Sequence, residues 1–251
     1  MKALKKIIFT LGSFVVVGAY ADQNTPASEP VETPAVVNPW AGTNASLGGV
    51  LNTGNSASQN LTTGANLQYV TGPWTYTAQG TFQRAESSAD GLTAQKLYLL
   101  GQTKYNFTEK DFGYTQVNYT DDRFSGYSYM ANWQIGYGRH FMLPQKMTLD
   151  LYAGPGIRQS ETDAGDKSTL PSLQVGANYA WPINTTTSFT EQLQSTAASN
   201  DIFTSSQTSL TTNLTDKLAF QFGFLITHDS KPQDGKDAIN STTTVQLVYN
   251  F

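Results

Sequence analysis

From residue 218 to residue 227 the side chains alternate strictly: Leu218, Phe220, Phe222, Phe224 and Ile226 fall on one side of an extended chain, and Ala219, Gln221, Gly223, Leu225 and Thr227 on the other. A β-strand sends successive side chains to opposite faces, so this segment has one face that seeks an apolar medium and one that does not. Residues 127 to 141 repeat the pattern with different residues. Tyr127, Tyr129, Ala131, Trp133, Ile135, Tyr137 and Phe141 oppose Ser128, Asn132, Gln134, Gly136, Gly138 and His140. From Trp40 onward no segment has the 3.6-residue period of an amphipathic helix.

The same alternation predicts twelve strands, near 43 to 53, 57 to 70, 73 to 85, 93 to 107, 111 to 120, 126 to 142, 146 to 159, 168 to 181, 186 to 197, 202 to 214, 216 to 228 and 239 to 251. The number is even, and the segments exceed the roughly 9 to 11 residues that a tilted strand needs to cross a bilayer. The breaks alternate in character. Turns such as Leu143-Pro144-Gln145-Lys146 are short, whereas 161 to 166 and 229 to 237 are often longer and more acidic. The expectation is an all-β fold, a transmembrane antiparallel up-and-down β-barrel of about 12 strands, with short periplasmic turns and outer loops facing outside.

A β-sandwich also alternates, but it buries its apolar faces against each other. Aromatic placement favours the barrel. Trp74, Tyr105, Phe107, Phe141, Tyr179, Trp181, Tyr249 and Phe251 fall on the apolar face near the expected periplasmic ends, as an interfacial girdle does. The opposite face is too polar and too rich in Gly for a water-excluding core.

Composition removes other classes. Charged residues are 14% of the chain, against about 25% in an ordinary soluble domain. No run approaches the ~18 uninterrupted apolar residues of a spanning helix. The absence of cysteine removes thiol nucleophiles, disulfides and Cys-ligated zinc. A net charge of -4 carries no electrostatic footprint for nucleic acid, so no nucleic-acid partner is expected. Nothing in the sequence calls for a cofactor or a metal.

Lys2, Lys5 and Lys6, an apolar stretch from Ile7 to Gly18, and Ala19-Tyr20-Ala21 read as a secretory signal over residues 1 to 21. Its removal leaves 12 basic against 19 acidic residues. Pro26, Pro30, Pro34 and Pro39 then mark a Pro-rich periplasmic leader over 22 to 40, and the barrel is expected over 41 to 251. At the end of the chain Val245, Leu247, Tyr249 and Phe251 share the apolar face up to the last residue. This pattern resembles the C-terminal insertion signal of bacterial outer-membrane barrels. It implies the barrel assembly machinery as a partner, alongside outer-membrane lipids and lipopolysaccharide, and the cell outer membrane as the location.

Trp40-Ala41-Gly42, Ala45-Ser46-Leu47-Gly48-Gly49 and Asn52-Thr53-Gly54-Asn55-Ser56 open the barrel. With Asp121-Asp122-Arg123-Phe124-Ser125-Gly126, Gly136-Tyr137-Gly138 and Ala153-Gly154-Pro155-Gly156-Ile157-Arg158, they resemble a domain-of-unknown-function family described as salt-induced outer-membrane proteins. The resemblance covers 40 to 251. It implies location, fold and a link to salt or osmotic stress, and carries no functional residues over.

The chain has two histidines, and a Ser-His hydrolase would have to use one of them. His228, beside Asp229 and Ser230 at an outer strand end, is the candidate for the alternative function, an outer-leaflet lipid-modifying hydrolase. A solvated loop histidine is the simpler reading, and no enzyme is expected. Gly154-Pro155-Gly156 lacks the helix and the Lys-Ser/Thr of a phosphate loop, so strand glycines explain it better. A register with residue sums of 290 across 143 to 145 would set His140 opposite Asp150 and Asn132 opposite Arg158. Inward Lys96, Lys104, His140, Asp150 and Arg158 are the lumen-lining candidates. They would line a conduction path or a small polar-ligand site, or bond one another and plug a narrow barrel, and a plugged or narrow lumen is favoured. Asp121, Asp122, Asp229, Asp234 and Asp237 have cation-ligand chemistry without calcium-loop spacing, so hydrated acidic loops are expected. Glu191 falls on the apolar face and predicts a bulge or a phase error there. The function expected is an envelope protein, a narrow channel or structural barrel.

Overall fold

The computed structural model describes residues 38–52, 58–199, 201–233 and 237–251. The expected signal sequence and the leader up to residue 37 lie outside them. The strands are β1 (Asn44–Asn52), β2 (Ser58–Thr71), β3 (Trp74–Ser87), β4 (Gly91–Asn106), β5 (Asp111–Asp122) and β6 (Tyr127–Met142). They continue as β7 (Thr148–Thr162), β8 (Lys167–Pro182), β9 (Thr187–Ala198), β10 (Asp201–Asn213), β11 (Leu218–Asp229) and β12 (Ile239–Asn250). The alternation placed most of their ends within two residues.

Each strand pairs antiparallel with its neighbours in sequence, and β1 pairs with β12 through Leu47 and Leu247 to close the twelve-stranded barrel. Closure gives every strand a partner on both sides, with five residue pairs at the β1–β12 seam, and a closed sheet is how strands cross hydrocarbon. The register sums expected across the β6–β7 turn are observed. His140 faces Asp150, Asn132 faces Arg158, and Gly138 faces Tyr152.

The two faces are inverted relative to a soluble protein. Leu47, Val117, Ile135, Leu173, Phe222 and Leu247 are exposed on the outside, while the largest fully buried side chains include Gln83, Gln134, Gln174 and Asn66. Water-soluble sandwiches bury the first set and expose the second, so this distribution matches only a barrel with an apolar exterior and a polar interior. Aromatic rings pack in pairs at the terminal end of the barrel, where β1 begins and β12 ends: Trp74 with Tyr105 at 4.6 Å, Tyr105 with Phe107 at 5.4 Å and Tyr249 with Phe251 at 5.0 Å. Near the other end Tyr119 and Tyr129 stack at 6.0 Å.

The interior of β5 to β8 owes its shape to glycine. A Cβ on Gly136 would sit 2.5 Å from the Tyr114 ring and 2.5 Å from the carbonyl oxygen of Ala153. One on Gly176 would run into the Tyr152 ring. The missing side chains let these rings lie along the wall.

Glu191 corrects the sequence expectation. Tyr179, Glu191 and Thr208 pair in an unbroken register across β8, β9 and β10, so there is neither bulge nor phase error. The carboxylate does face outward, and it is tolerated because Ser206 and Thr208 of β10 donate hydrogen bonds to its two oxygens at 2.6 and 2.5 Å.

Candidate functional site

The inward faces enclose a cavity of about 1400 Å³ whose lining includes Lys104, His140 and Asn178 towards the terminal end and Arg158, Asp201 and Asn240 towards the loop end. Lys96, Lys104, His140, Asp150 and Arg158 all line it. They form no single cluster. Their strands hold them at two levels.

At the loop end Arg158 of β7 donates to Asp201 of β10 at 2.6 Å and to the carbonyl oxygen of Thr196 of β9 at 3.2 Å. Lys96 lies 3.8 Å from Asp122, its register partner on β5. At the terminal end Asp150 accepts from Nδ1 of His140 at 2.6 Å, and Nε2 of that ring lies 3.5 Å from the Asn106 side-chain oxygen. The His140 ring packs 4.6 Å from Phe112, and the ammonium of Lys104 stands 4.9 Å above the same Phe112 ring.

Between these levels polar side chains bond along the wall and across it. Gln102 donates to Gln116 at 3.0 Å and Asn132 to Asn118 at 2.9 Å. The Tyr114 hydroxyl of β5 donates to Gln174 of β8 at 3.1 Å, passing over β6 and β7. Tyr114 also meets Tyr152 edge to face at 5.5 Å. Tyr114, Gln174 and Asp201 have the inward parity of their strands in the sequence. Their partnerships do not show there, because they run across the curve of the barrel and join strands that are not neighbours.

The other candidate residues are placed as follows. His228 is exposed near the loop end, opposite Thr204, and makes no hydrogen bond among the described residues. A histidine acting as a base needs a nucleophile in reach and a partner fixing its ring, and neither is arranged around it. Asp122 is committed to Lys96 and to the backbone N–H of Phe124, and Asp229 to that of Lys231. Asp234 lies outside the described residues. Among the described residues no group of three or more His, Asp or Glu is gathered as a metal site would require. Val245, Leu247, Tyr249 and Phe251 are all exposed on the outer face, and the Phe251 N–H donates to the carbonyl of Thr43 at 3.1 Å, tying the last residue to the start of the barrel.

Residues 45–251 match the family model described as a protein of unknown function, DUF481. The chain belongs to the DUF481 family. A relative, the uncharacterized protein YdiY of Escherichia coli strain K12, is 24% identical over 254 residues, covering 98% of this chain and 100% of that protein. Among solved structures, the NanC porin superposes with a TM-score of 0.50 at 10% identity, covering 83% of this chain and 98% of that one. An outer membrane channel from Pseudomonas putida F1 is similar with a TM-score of 0.48 at 15% identity, over 88% of this chain and 99% of that one. At these identities the likeness is one of fold: the DUF481 barrel has porin-like architecture.

Proposed function

We propose that this chain is an outer-membrane protein whose lumen is a narrow passive channel for small polar solutes. The cavity carries the reading: one space is lined by residues from both ends of the barrel, and polar and charged side chains stand among the aromatic rings of its walls. The apolar exterior, its two aromatic levels and the porin-like fold support insertion in the outer membrane, with the terminal end in the periplasm and the loop end outside. In that orientation Val245, Leu247, Tyr249 and Phe251 present the insertion signal to the assembly machinery, and the outer face meets lipid and lipopolysaccharide. Lys96, Lys104, His140, Asp150 and Arg158 form the charged lining that solutes pass. Among the described residues the lumen histidine is held by Asp150. The salt or osmotic link implied by the family resemblance bears on when the protein is made, which immunoblots of cells grown with and without added NaCl would read.

The deciding experiment is single-channel recording of the refolded protein in a planar bilayer, with heat-modifiable electrophoretic mobility confirming a folded barrel. Stable conductance steps are the expected result. A folded barrel that stays silent would overturn the channel reading.

A further inference from the structure

The inward-facing basic side chains of the strands differ in their partners. Lys96 has Asp122, Arg158 has Asp201, and His140 has Asp150. Lys104 is the exception: among the described residues no carboxylate lies within ion-pair distance of it, and its ammonium faces the Phe112 ring instead. An aromatic face attracts a cation but brings no net charge, and the carboxylate that acts on Lys104, Asp150, stands beyond ion-pair distance and is held by His140. Its register partner on β5 is Tyr114, whose chord to Gln174 and edge contact with Tyr152 bound the lumen at that level. A charge has the longest reach where the walls stand close and exclude bulk water.

The loop end has the opposite sign. There Asp122, Asp201, Asp229 and Asp237 line the cavity against Lys96 and Arg158. Acid therefore prevails at one mouth, whereas towards the terminal end Lys104, Lys110 and Arg139 outnumber Glu109 and Asp150 in the lining. An anion that has passed the acidic mouth gains attraction at Lys104, whereas a cation gathered at the mouth meets its barrier there.

We propose that Lys104 is an anion-binding point in the lumen, taking small carboxylate or phosphate-like anions, and that it sets the ion preference of the pore. The sign reversal along the axis further makes the current unequal in the two directions. This rests on the channel reading.

The test is the reversal potential under a KCl gradient, together with the current at equal and opposite voltages, for the parent protein, K104Q, K104E and K104R. Removing the charge in K104Q is expected to raise the potassium-to-chloride permeability ratio severalfold and to lessen the asymmetry. K104E should raise the ratio further, and K104R should keep the parent value. Millimolar succinate added from the terminal side should reduce chloride current in the parent and K104R but not in K104Q. Retained heat-modifiable mobility establishes that each variant folds. Channels that conduct but have the same ratio and succinate response in K104Q as in the parent would overturn the role of Lys104 and leave the channel standing. A folded parent barrel with no conductance would overturn both.

Discussion

Gln233, in the connection between β11 and β12, donates a hydrogen bond of 2.7 Å to the hydroxyl of Tyr127 at the start of β6. In the closed order of strands, the β11–β12 connection and the β5–β6 connection stand on opposite sides of the ring. The bond therefore reaches across the loop-end mouth, and Pro232 and Gln233 form part of the cavity lining there. The segment before it is anchored at the wall, where the Ser230 N–H donates to the carbonyl of Ile202 and its hydroxyl to Asp201. A strap fixed at both sides crosses the entrance. Q233A and Y127F each release the far side at the cost of about 1 kcal/mol, the ordinary worth of a neutral hydrogen bond. Both are expected to fold as the parent does and to show larger, noisier single-channel steps. Steps unchanged in size and noise would place the narrowest section elsewhere.

The Glu191 carboxylate makes a second prediction, about stability in lipid. Register carries it sideways to Thr208 and from there to Phe224, so it lies in the row of the outward Phe side chains of β11. A charge on the lipid face is costly to a degree that depends on depth, and the donors Ser206 and Thr208 offset that cost. Replacing both as S206A/T208V leaves the carboxylate without them, and stability in vesicles should fall by about 1–3 kcal/mol. Adding E191L to that pair should recover most of the loss, because an apolar row then faces lipid throughout. Urea unfolding followed by tryptophan fluorescence measures both steps of this cycle. Equal stability of parent and double variant would show that the two hydroxyls do not support the carboxylate.

Strand positions were legible because lipid outside and polar side chains inside enforce alternation on nearly every residue, as Leu218 to Thr227 shows in its purest form. The pairing of His140 with Asp150 followed from parity and a short turn, both local properties. Glu191 was read on the correct face, and its hydroxyl partners one strand away resolve the misfit without a bulge. The bonds from Tyr114 to Gln174, Arg158 to Asp201 and Gln233 to Tyr127 span 60, 43 and 106 residues of sequence. They depend on how the closed sheet curves, and alternation carries no information about which inward residues then meet. For the same reason the sequence favoured a plugged or narrow lumen without showing which inward side chains meet, and the closed structure encloses a cavity of about 1400 Å³.

The glycine-lined wall of β5 to β8 predicts a sharp contrast between two conservative substitutions. In G136A the new methyl group would meet both the Tyr114 ring and the backbone carbonyl of Ala153, and the carbonyl cannot rotate away as a side-chain end can. Overpacking of this kind costs about 1–3 kcal/mol. Displacing Tyr114 would also break its hydrogen bond to Gln174. Gly101 has nothing within 4 Å of the equivalent position, so G101A should stay within about 0.5 kcal/mol of the parent, as open surface sites do. Unfolding midpoints of the two variants in the same lipid give the comparison. Similar midpoints would mean that the β5–β8 wall yields to admit a methyl group.

Phe251 separates a role in assembly from a role in the finished barrel. Its ring is 67% exposed and touches Tyr249 edge to face, while its backbone N–H bonds to Thr43. F251A keeps that backbone bond and gives up mainly contact with lipid, so the purified variant should refold in detergent with stability close to the parent's. In cells the same variant should reach the outer membrane several times less efficiently, since the proposed insertion signal of Val245, Leu247, Tyr249 and Phe251 loses one of its aromatic residues. Fractionation with heat-modifiable mobility measures the folded amount in the membrane. Poor yield in cells combined with normal refolding in vitro assigns Phe251 to recognition. Normal yield in both would remove the insertion role from the terminal residue, and failure in both would make its ring a structural requirement.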